Sequence, residues 1–466
     1  MEKRENTRLL VLEVLLDVEK KNIFVKEALH NLLFQRQFLP KQDRAFITRL
    51  VEGVTEYQVR LDYVLNQFSK TPVHKCKPAI RCILRMALYQ ILYMDSVPEE
   101  TACDEAVKLA KKKGFRNLTG FVNGVLRNIV RNKNDITYPL PETDFALYLS
   151  VMYSVPLWLV KRIITWYGES RTQTILEAFL EEDRLTIRVN YNKVDKETFI
   201  ASLQNKEIQV LEGNYVDEAL QLCNINYVER IPGFKEGSFF VQDESSMLVY
   251  HVSDAQKELE RLQKRDGKQV LKVLDLCAAP GGKTTHFAQM LGDRVQIEAR
   301  DLSEKKVELI RDNMNRLQLE NVAVCVHDAL ILDEEKNEWA DIVIADLPCS
   351  GLGIVSKKND IKYHIRDEQL LELSNLQKTI LTNAASYVKP GGLLLYSTCT
   401  INPDENIENA KWFLEHFDFS PEDIKATIPN QLQPSILENY MLQLLPGEVQ
   451  CDGFFIAKLR KNKNNE

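Results

Sequence analysis

The chain has 466 residues, 44% of them hydrophobic and 27% charged, and a formal net charge of −7. This composition is ordinary for globular proteins and excludes collagen-like, low-complexity and largely disordered classes. No stretch approaches the roughly 18 to 20 uninterrupted apolar residues of a membrane-spanning helix, and Glu13 and Asp17 interrupt the apolar start. We therefore expect a cytoplasmic protein of about three domains with no membrane partner.

The charge is divided unevenly along the chain. Residues 1–140 carry 24 Lys and Arg against 16 Asp and Glu, a net of +8, whereas the remaining 326 residues have a net of −15. A basic module joined to an acidic body indicates a partner with a phosphate backbone. A solvated basic surface would produce the same imbalance, so the charge by itself leaves both interpretations open.

The nine cysteines are odd in number and widely scattered, and no two of them form a Cys-x-x-Cys pair. This spacing argues against a disulfide framework and against a zinc site, so no metal is predicted. A functional cysteine in this chain is expected to be a thiol nucleophile.

Residues 1–140 are predicted to form a helical domain. Apolar residues recur at helical spacing from Thr7 to Lys133, most clearly in the stretch Phe121–Val130. The polar segment Asn132–Asp144 contains two prolines and ends this pattern, so we place a linker there.

Residues 145–235 are predicted to form a small α/β domain. The pattern indicates two helices, Pro156–Tyr167 and Arg171–Glu182, then a strand at Leu185–Asn190 and a helix at Lys196–Gln204. Three polar side chains on or beside that strand could contact RNA, although a single arginine on a strand is more often simply exposed to solvent: Arg184, Arg188 and Tyr191.

Residues 236–466 alternate between predicted strands and helices, which indicates a mostly parallel, doubly wound sheet. In chain order the elements are strand Val270–Leu276, helix Thr284–Leu291, strand Val295–Arg300, helix Glu304–Leu317, strand Val322–Val326, strand Ala340–Ala345, helix Glu368–Val388, strand Gly392–Ser397, helix Asp404–Phe417 and strand Phe454–Leu459. Because ligands bind beyond the carboxyl ends of such strands, the chemistry is expected there.

The first of these strands leads into a loop of small residues that opens a helix. The loop is Cys277, Ala278, Ala279, Pro280, Gly281, Gly282 and Lys283. Small residues let a ligand approach the backbone, and a helix N-terminus favours carboxylate or phosphate. A P-loop is excluded because its first glycine would fall on Cys277, and the dinucleotide fingerprint fails because only two adjacent glycines occur.

The next strands end in acidic residues and cysteines. Asp301, Asp328 and Asp346 follow three successive strands, Cys349 lies just beyond Asp346, and Cys399 follows the next strand. A single cysteine at such a place usually packs in the core, but two at neighbouring strand ends indicate catalysis. The residues themselves do not rank one cysteine over the other.

This set of side chains suits methylation of cytosine at C5, a carbon that is a poor nucleophile. A thiolate that adds to C6 turns the ring into an enamine whose C5 can attack an electrophilic methyl group. A carboxyl group bonded to the N3 or N4 edge would stabilise the charge that develops. The loop, with Asp301 at the ribose and Asp328 near the adenine amine, would hold S-adenosylmethionine.

Several motifs then resemble those of the RNA cytosine-C5 methyltransferases of the Nol1/Nop2/Sun family. They are Val273–Thr285, Asp346–Gly353, Tyr396–Asn406, Phe240–Ser246 and Asp452–Phe455. Asp43–Phe46 and Phe121–Arg127 are similar to the NusB-type helical RNA-binding domain. The resemblance implies a multi-domain protein with an all-α NusB-like domain, a small α/β domain and an α/β Rossmann-like methyltransferase domain.

The resemblance also implies roles for individual residues. Cys399 would be the nucleophile on C6, Cys349 the thiol that assists release of the enzyme, and Asp346 the group at the base edge. S-adenosyl-L-methionine would be held by the loop from Cys277 to Lys283 together with Asp301, Asp328 and Asp346. The chain departs from the family pattern at three places. Ser356–Asp360 stands where the family often has two basic residues followed by His/Asn-Pro-Asp, Leu347 stands where a small residue is usual, and the charged insert Asp254–Gly267 has no family counterpart.

The expected substrate is a specific cytosine of 16S rRNA, cytosine 967 in the usual rRNA numbering, in naked RNA or an early assembly intermediate. The same chemistry on tRNA or 23S rRNA is an alternative. A non-catalytic RNA-binding assembly factor is another, although both cysteines, Asp346 and the donor loop are intact.

Overall fold

The computed structural model describes residues 5–36, 38–181, 184–223, 225 and 227–463. The chain divides into two compact units. One contains residues 1–181 and 355–365, and the other contains residues 182–354 and 366–466.

The first unit is helical, as the periodicity predicts. Its helices are α1 (Thr7–Lys21), α2 (Val25–Gln35), α3 (Lys41–Glu56), α4 (Gln58–Phe68), α5 (Pro78–Tyr93), α6 (Glu99–Lys112), α7 (Thr119–Arg131), α8 (Phe145–Met152) and α9 (Leu157–Ala178). The apolar faces of α1 to α7 form one core, to which α7 contributes Val122, Val125, Leu126 and Ile129. Helix α9 is interrupted at Gly168, where φ is 77°, so it corresponds to the two helices predicted there.

The segment 355–365 packs within this helical unit and caps two of its helices. The Asp360 carboxylate accepts a hydrogen bond from the backbone N–H of Val25 at 2.6 Å, at the start of α2. The Lys362 ammonium donates to the carbonyl of Glu56 at 3.1 Å, at the end of α3. A negative group at a helix N-terminus and a positive group at a C-terminus both complement the helix dipole.

The second unit begins with a small antiparallel sheet. Its strands are β1 (Leu185–Val189), β2 (Val210–Glu212), β3 (Ala219–Leu222) and β4 (Phe239–Val241), in the order β2-β3-β1-β4, with helix α10 (Lys196–Gln204). The predicted strand and helix of this region are confirmed. Strand β1 pairs with both β3 and β4, and four of its five residues are buried.

A larger sheet follows, and within the described residues it has nine strands. They are β5 (Leu271–Asp275), β6 (Val295–Asp301), β7 (Val322–Val326), β8 (Ala340–Asp346), β9 (Val388–Thr398), β10 (Phe419–Pro421), β11 (Ile436–Glu438), β12 (Met441–Leu444) and β13 (Phe454–Lys461). The order is β11-β12-β13-β9-β8-β5-β6-β7, and β10 pairs with β13.

The sheet is mixed rather than mostly parallel. The predicted strands β5 to β9 pair in parallel, whereas β13 joins β9 antiparallel and brings three short strands with it. Those three strands have three or four residues each. So short a run cannot establish a detectable alternation of apolar residues, which is why the sequence did not indicate them.

The remaining helices are α11 (Glu244–Ser253), α12 (Ala255–Asp266), α13 (Gly282–Leu291), α14 (Glu304–Leu317), α15 (Asp367–Tyr387) and α16 (Ile407–His416). The charged insert noted in the sequence is therefore helical, and Gly267 ends it with φ of 66°. Among the described residues no single helix is long and apolar enough to cross a membrane, while α8 and α9, bent by 118°, satisfy that test only as a pair.

Candidate functional site

A cleft of about 220 Å³ lies at the carboxyl ends of the parallel strands. Its walls include the loop after β5, the segment between β4 and α11, the ends of β8 and β9, and the turn before β13. Candidate residues that line it are Cys277, Ala278, Ala279, Pro280, Gly282, Lys283, Asp346 and Cys399.

The loop after β5 is tied to the end of β6. The Asp301 carboxylate accepts hydrogen bonds from the backbone N–H groups of Ala279 at 2.9 Å and Leu302 at 2.8 Å, and Lys306 pairs with it at 3.0 Å. The peptide between Ala279 and Pro280 is cis, and Gly281 has φ of 102°, a left-handed conformation that favours glycine. The hydrogen bonds of Asp301 therefore fix the position of this loop relative to the end of β6.

Asp301 and Asp328 do not line the cleft themselves. Asp301 is buried: its Oδ2 accepts the hydrogen bond from Ala279 in the loop, and its Oδ1 accepts the one from Leu302, directly after β6. Asp328 follows β7 and accepts a hydrogen bond from the N–H of Leu330 at 3.0 Å. Neither of these two carboxylates is therefore part of the cleft wall, whereas Asp346 is.

Asp275, the last residue of β5, adds a further carboxylate to the cleft. It is 1% exposed and lines the cleft, and its Oδ2 accepts a hydrogen bond from Thr284 Oγ1 at 2.6 Å. Its Oδ1 is buried and has no hydrogen-bond partner among the described residues. Burial raises the pKa of Asp275 to about 7. An unsatisfied buried carboxylate oxygen fits a ligand that carries an ammonium group, as S-adenosylmethionine does.

Lys283 and Asp346 form an ion pair on the floor of the cleft. Lys283 Nζ lies 2.6 Å from Asp346 Oδ2 and 3.0 Å from Ser246 Oγ. Ser397 Oγ donates to Asp346 Oδ1 at 2.8 Å. Because Asp346 and Ser397 are paired in the parallel register of β8 and β9, strand geometry alone brings the hydroxyl to the carboxylate.

The two cysteines at the strand ends meet. Cys349 Sγ and Cys399 Sγ are 3.4 Å apart. Cys399 lines the cleft, and Cys349 is not among the residues that do. The hydrogen bond with Cys399, and then burial, raise the pKa of the Cys349 thiol well above its ordinary value.

A buried glutamate joins the two cysteine-bearing loops. Glu405 is 0% exposed and accepts hydrogen bonds from the backbone N–H of Ser350 at 2.9 Å, from Asn402 at 3.0 Å and from Gln377 at 3.0 Å. Ser350 Oγ also donates to it at 2.5 Å and contacts Thr400 Oγ1 at 2.6 Å. Glu405 lies in a motif that carries the family resemblance, but nothing in the sequence indicates that it bridges these loops.

A cluster of one glutamate and two histidines includes His286 of helix α13. Glu218 Oε1 is 2.7 Å from His251 Nε2 and 3.1 Å from His286 Nε2, and one ligand atom from each of the three residues lies within 4.8 Å of the others. These three residues could hold a metal ion, and the sequence analysis did not single them out because they are widely separated along the chain.

The structure corrects the interpretation of Arg188 as an RNA contact. Its side chain is 1% exposed and points from β1 into the interior, where it reaches α13. The reason is that this face of β1 packs against α13, whose Thr285 and Gln289 side chains accept hydrogen bonds from the guanidinium. Arg184 and Tyr191 are exposed and stay as predicted RNA contacts.

Comparison with known proteins gives the family. Residues 261–460 match the model of the 16S rRNA methyltransferase RsmB/F family, residues 5–131 the NusB family, and residues 155–229 the ferredoxin-like domain of RsmF/B-like methyltransferases. A probable ribosomal RNA small subunit methyltransferase B from Bacillus subtilis is 34% identical over 98% of this chain and 99% of its own. The chain belongs to the RsmB/F methyltransferase family.

A second relative and a solved structure agree with this assignment. A probable ribosomal RNA small subunit methyltransferase B from a Synechocystis species is 32% identical over 98% of this chain and 99% of its own. The crystal structure of PH0851 covers 99% of this chain and all of its own, with a TM-score of 0.80 and 24% identity, and shows the same fold. As an RsmB/F protein the chain is an S-adenosylmethionine-dependent RNA methyltransferase. The predicted NusB-like, small middle and methyltransferase domains are confirmed.

Proposed function

We propose that this chain methylates C5 of one cytosine of 16S rRNA, cytosine 967 in the usual numbering, in the cytoplasm. The observation that carries the proposal is the pair of sulfur atoms 3.4 Å apart, of which only Cys399 lines a cleft shared with the loop after β5. A thiol beside a donor loop suits covalent methyl transfer to a pyrimidine.

The methyl donor would be S-adenosylmethionine, which supplies an electrophilic methyl group bonded to a sulfonium. The loop Cys277–Lys283 would surround it, with Asp275 at its ammonium and Asp301, Asp328 and Asp346 as further contacts. The unsatisfied Asp275 oxygen supports this placement. Asp301 and Asp328 would need to exchange their present hydrogen bonds for ligand hydroxyl and amine groups.

Cys399 would begin the reaction as a thiolate. Its sulfur forms a bond to C6 while the C5–C6 π electrons move to the C4–C5 bond and the C4–N3 π electrons move onto N3, which leaves C5 as the nucleophilic carbon of an enamine. C5 then takes the methyl group, and the donor sulfur keeps the electron pair of the broken bond. Removal of the C5 proton restores the C5–C6 double bond and expels Cys399 as thiolate. With water from the solvent as the acceptor of the C5 proton, atoms and charge balance.

Asp346 would act during the addition of Cys399 to C6, and Cys349 would act during the release of the product. Asp346, held by Lys283 and Ser397, would bind the N3 or N4 edge and stabilise the charge that arises during addition. Cys349, close to the nucleophile but with a raised pKa, would assist release of the product. A thiol that stays protonated is a poor nucleophile, but it can donate a hydrogen bond to Cys399 as that sulfur leaves C6 as a thiolate.

The NusB-like domain would dock the RNA through its basic surface. We propose domain limits of 1–140, 145–235 and 236–466, with naked 16S rRNA or an early assembly intermediate as the partner. A flipped or single-stranded cytosine is expected because C5 and C6 must be reached from the face of the ring.

The test is a denaturing gel of the Cys349→Ala variant expressed in cells, followed by sequencing of the attached RNA. We expect a slowly migrating covalent complex, absent from the Cys349→Ala/Cys399→Ala double variant, because release is impaired while attack is intact. The sequenced RNA identifies the substrate: reads from tRNA or 23S rRNA would contradict the 16S assignment.

Two other outcomes would contradict the mechanism. If no complex forms while the wild type transfers labelled methyl groups to RNA, the cysteine roles are wrong. If the wild type transfers no methyl group at all, the non-catalytic assembly factor becomes the better description.

A further inference from the structure

Arg188 is a buried cation in the small middle domain, and its hydrogen bonds reach residues that line the proposed S-adenosylmethionine cleft. Its guanidinium donates hydrogen bonds to the carbonyl of Gly282 at 2.9 Å, to Thr285 Oγ1 at 2.8 Å and to Gln289 Oε1 at 2.8 Å. A further hydrogen bond reaches Gln242 Oε1. The planar fork of an arginine can satisfy several acceptors in fixed directions at once.

Three of these four acceptors, Gly282, Gln242 and Thr285, belong to or adjoin the wall of the cleft, and Gln289 lies further along α13. Gly282 and Thr285 form the first turn of α13, directly after the loop Cys277–Gly281. Gly282 and Gln242 themselves line the cleft. The next residue after Gly282 is Lys283, whose ammonium holds Asp346. The position of one guanidinium therefore bears on both the donor loop and the ion pair.

A buried cation is costly unless it is well solvated by the protein. Burial lowers the pKa of Arg188 to about 9, and Glu218 is the acidic group that offsets this effect. Glu218 is itself bound to His251 at 2.7 Å. A hydrophobic side chain could fill the same volume without this cost, so the guanidinium is explained by what it holds in place.

We propose that Arg188 is a positioning residue through which the small middle domain sets the first turn of α13 and the shape of the donor loop. It does not touch the donor or the cytosine. The inference rests on the proposed role of the cleft as the S-adenosylmethionine site. It gives the middle domain a role in donor binding besides any contact with RNA.

The test compares three variants of the full-length protein. Arg188→Met removes all donors at similar length, and Arg188→Lys keeps the charge but loses the fork. Arg230→Met is the matched control, because Arg230 is an exposed arginine in the same small domain. The affinity for S-adenosylhomocysteine is measured by calorimetry, and KM for S-adenosylmethionine and kcat are measured on RNA, at a temperature where every variant is folded.

We expect Arg188→Met to weaken S-adenosylhomocysteine binding roughly tenfold or more and to raise KM for the donor in parallel, as the loss of one or two charge-assisted hydrogen bonds would. The kcat at saturating donor falls much less. Arg188→Lys lies nearer to Arg188→Met than to wild type, and Arg230→Met binds S-adenosylhomocysteine like wild type. A variant that melts earlier yet binds with wild-type affinity when folded would overturn the proposal, since Arg188 would then serve stability alone.

Thr285→Val keeps the proposal testable if Arg188→Met does not fold. It deletes one acceptor of the guanidinium with little change in shape, and weakened binding is expected again; unchanged binding overturns the inference. Failure of the proposed function looks different. A wild type that binds S-adenosylhomocysteine but methylates no cytosine contradicts the function and leaves the role of Arg188 intact, whereas a wild type that does not bind it contradicts both.

Discussion

The sulfur atoms of Cys349 and Cys399 lie 3.4 Å apart at the carboxyl ends of two adjacent parallel strands, β8 and β9. Of these two cysteines, only Cys399 lines the cleft that is also bordered by the loop Cys277–Lys283. The residues are 50 positions apart in the chain. The parallel pairing of two strands is what makes them neighbours.

Replacement of Cys399 by alanine is expected to abolish methyl transfer while S-adenosylhomocysteine still binds. Loss of a covalent nucleophile costs several orders of magnitude in kcat, because the uncatalysed attack by C5 is so difficult. Incorporation of labelled methyl groups into RNA measures the transfer, and calorimetry measures the binding of S-adenosylhomocysteine. Cys76→Ala, in the helical unit, is the control and should retain activity. Residual transfer above about a tenth of wild type would exclude Cys399 as the nucleophile.

Glu405→Gln is expected to loosen both cysteine-bearing loops. A glutamine has one acceptor oxygen and an NH₂ group, so it cannot accept every hydrogen bond from Ser350, Asn402 and Gln377 and would place donors opposite donors. We expect a loss of about 1 to 3 kcal/mol in the free energy of unfolding, from urea titration, and a clear fall in kcat. Unchanged kcat in a folded variant would show that the loops hold their shape without Glu405.

Asp275→Asn should change how stability depends on pH. Burial raises the pKa of Asp275 to about 7, above the ordinary value of an aspartate. The folded state therefore holds a proton that the unfolded state has lost, and this contribution to stability is complete at low pH and declines as pH rises to about 7. The variant has no such decline. Its unfolding free energy relative to wild type should rise between about pH 4 and 7 and stay level above that.

Urea unfolding at pH 5 and pH 8, without donor, provides the comparison, and S-adenosylhomocysteine binding by Asp275→Asn should be weaker at pH 8. If the stability difference is the same at both pH values, Asp275 is ionised throughout and its buried oxygen has another partner.

Asp360→Ala should weaken the start of α2 in the helical unit. Asp360 is 2% exposed, and its carboxylate accepts a hydrogen bond from the backbone N–H of Val25 at 2.6 Å. Loss of a helix cap costs about 0.5 to 2 kcal/mol, and the burial of this one places the effect in the upper part of that range. Hydrogen exchange at Val25 should accelerate. Asp144→Ala, which removes the exposed cap of α8, is the comparison and should leave Val25 unchanged. Equal exchange at Val25 in the wild type and Asp360→Ala would show that this cap does not hold the helix.

Much of the fold is readable from local pattern. Helix Glu304–Leu317, helix Lys196–Gln204 and strand Val322–Val326 have the predicted limits, because periodicity over a sustained run reports which face is buried. The small-residue loop after β5 and the acidic or cysteine residues at strand ends follow from the same reasoning. Local sequence therefore determines which chemical groups are available and at which edge of the sheet.

Contacts between distant residues decide the rest. Arg188 reaches Gly282 across 94 positions and Glu405 reaches Ser350 across 55, and no local pattern encodes such pairs. The same holds for which cysteine faces the cleft and for the oxygen of Asp275 left without a partner. A residue's type and spacing state what it can donate, accept or attack; only the packing of strands and helices against one another states what it meets, because that depends on the whole folded chain.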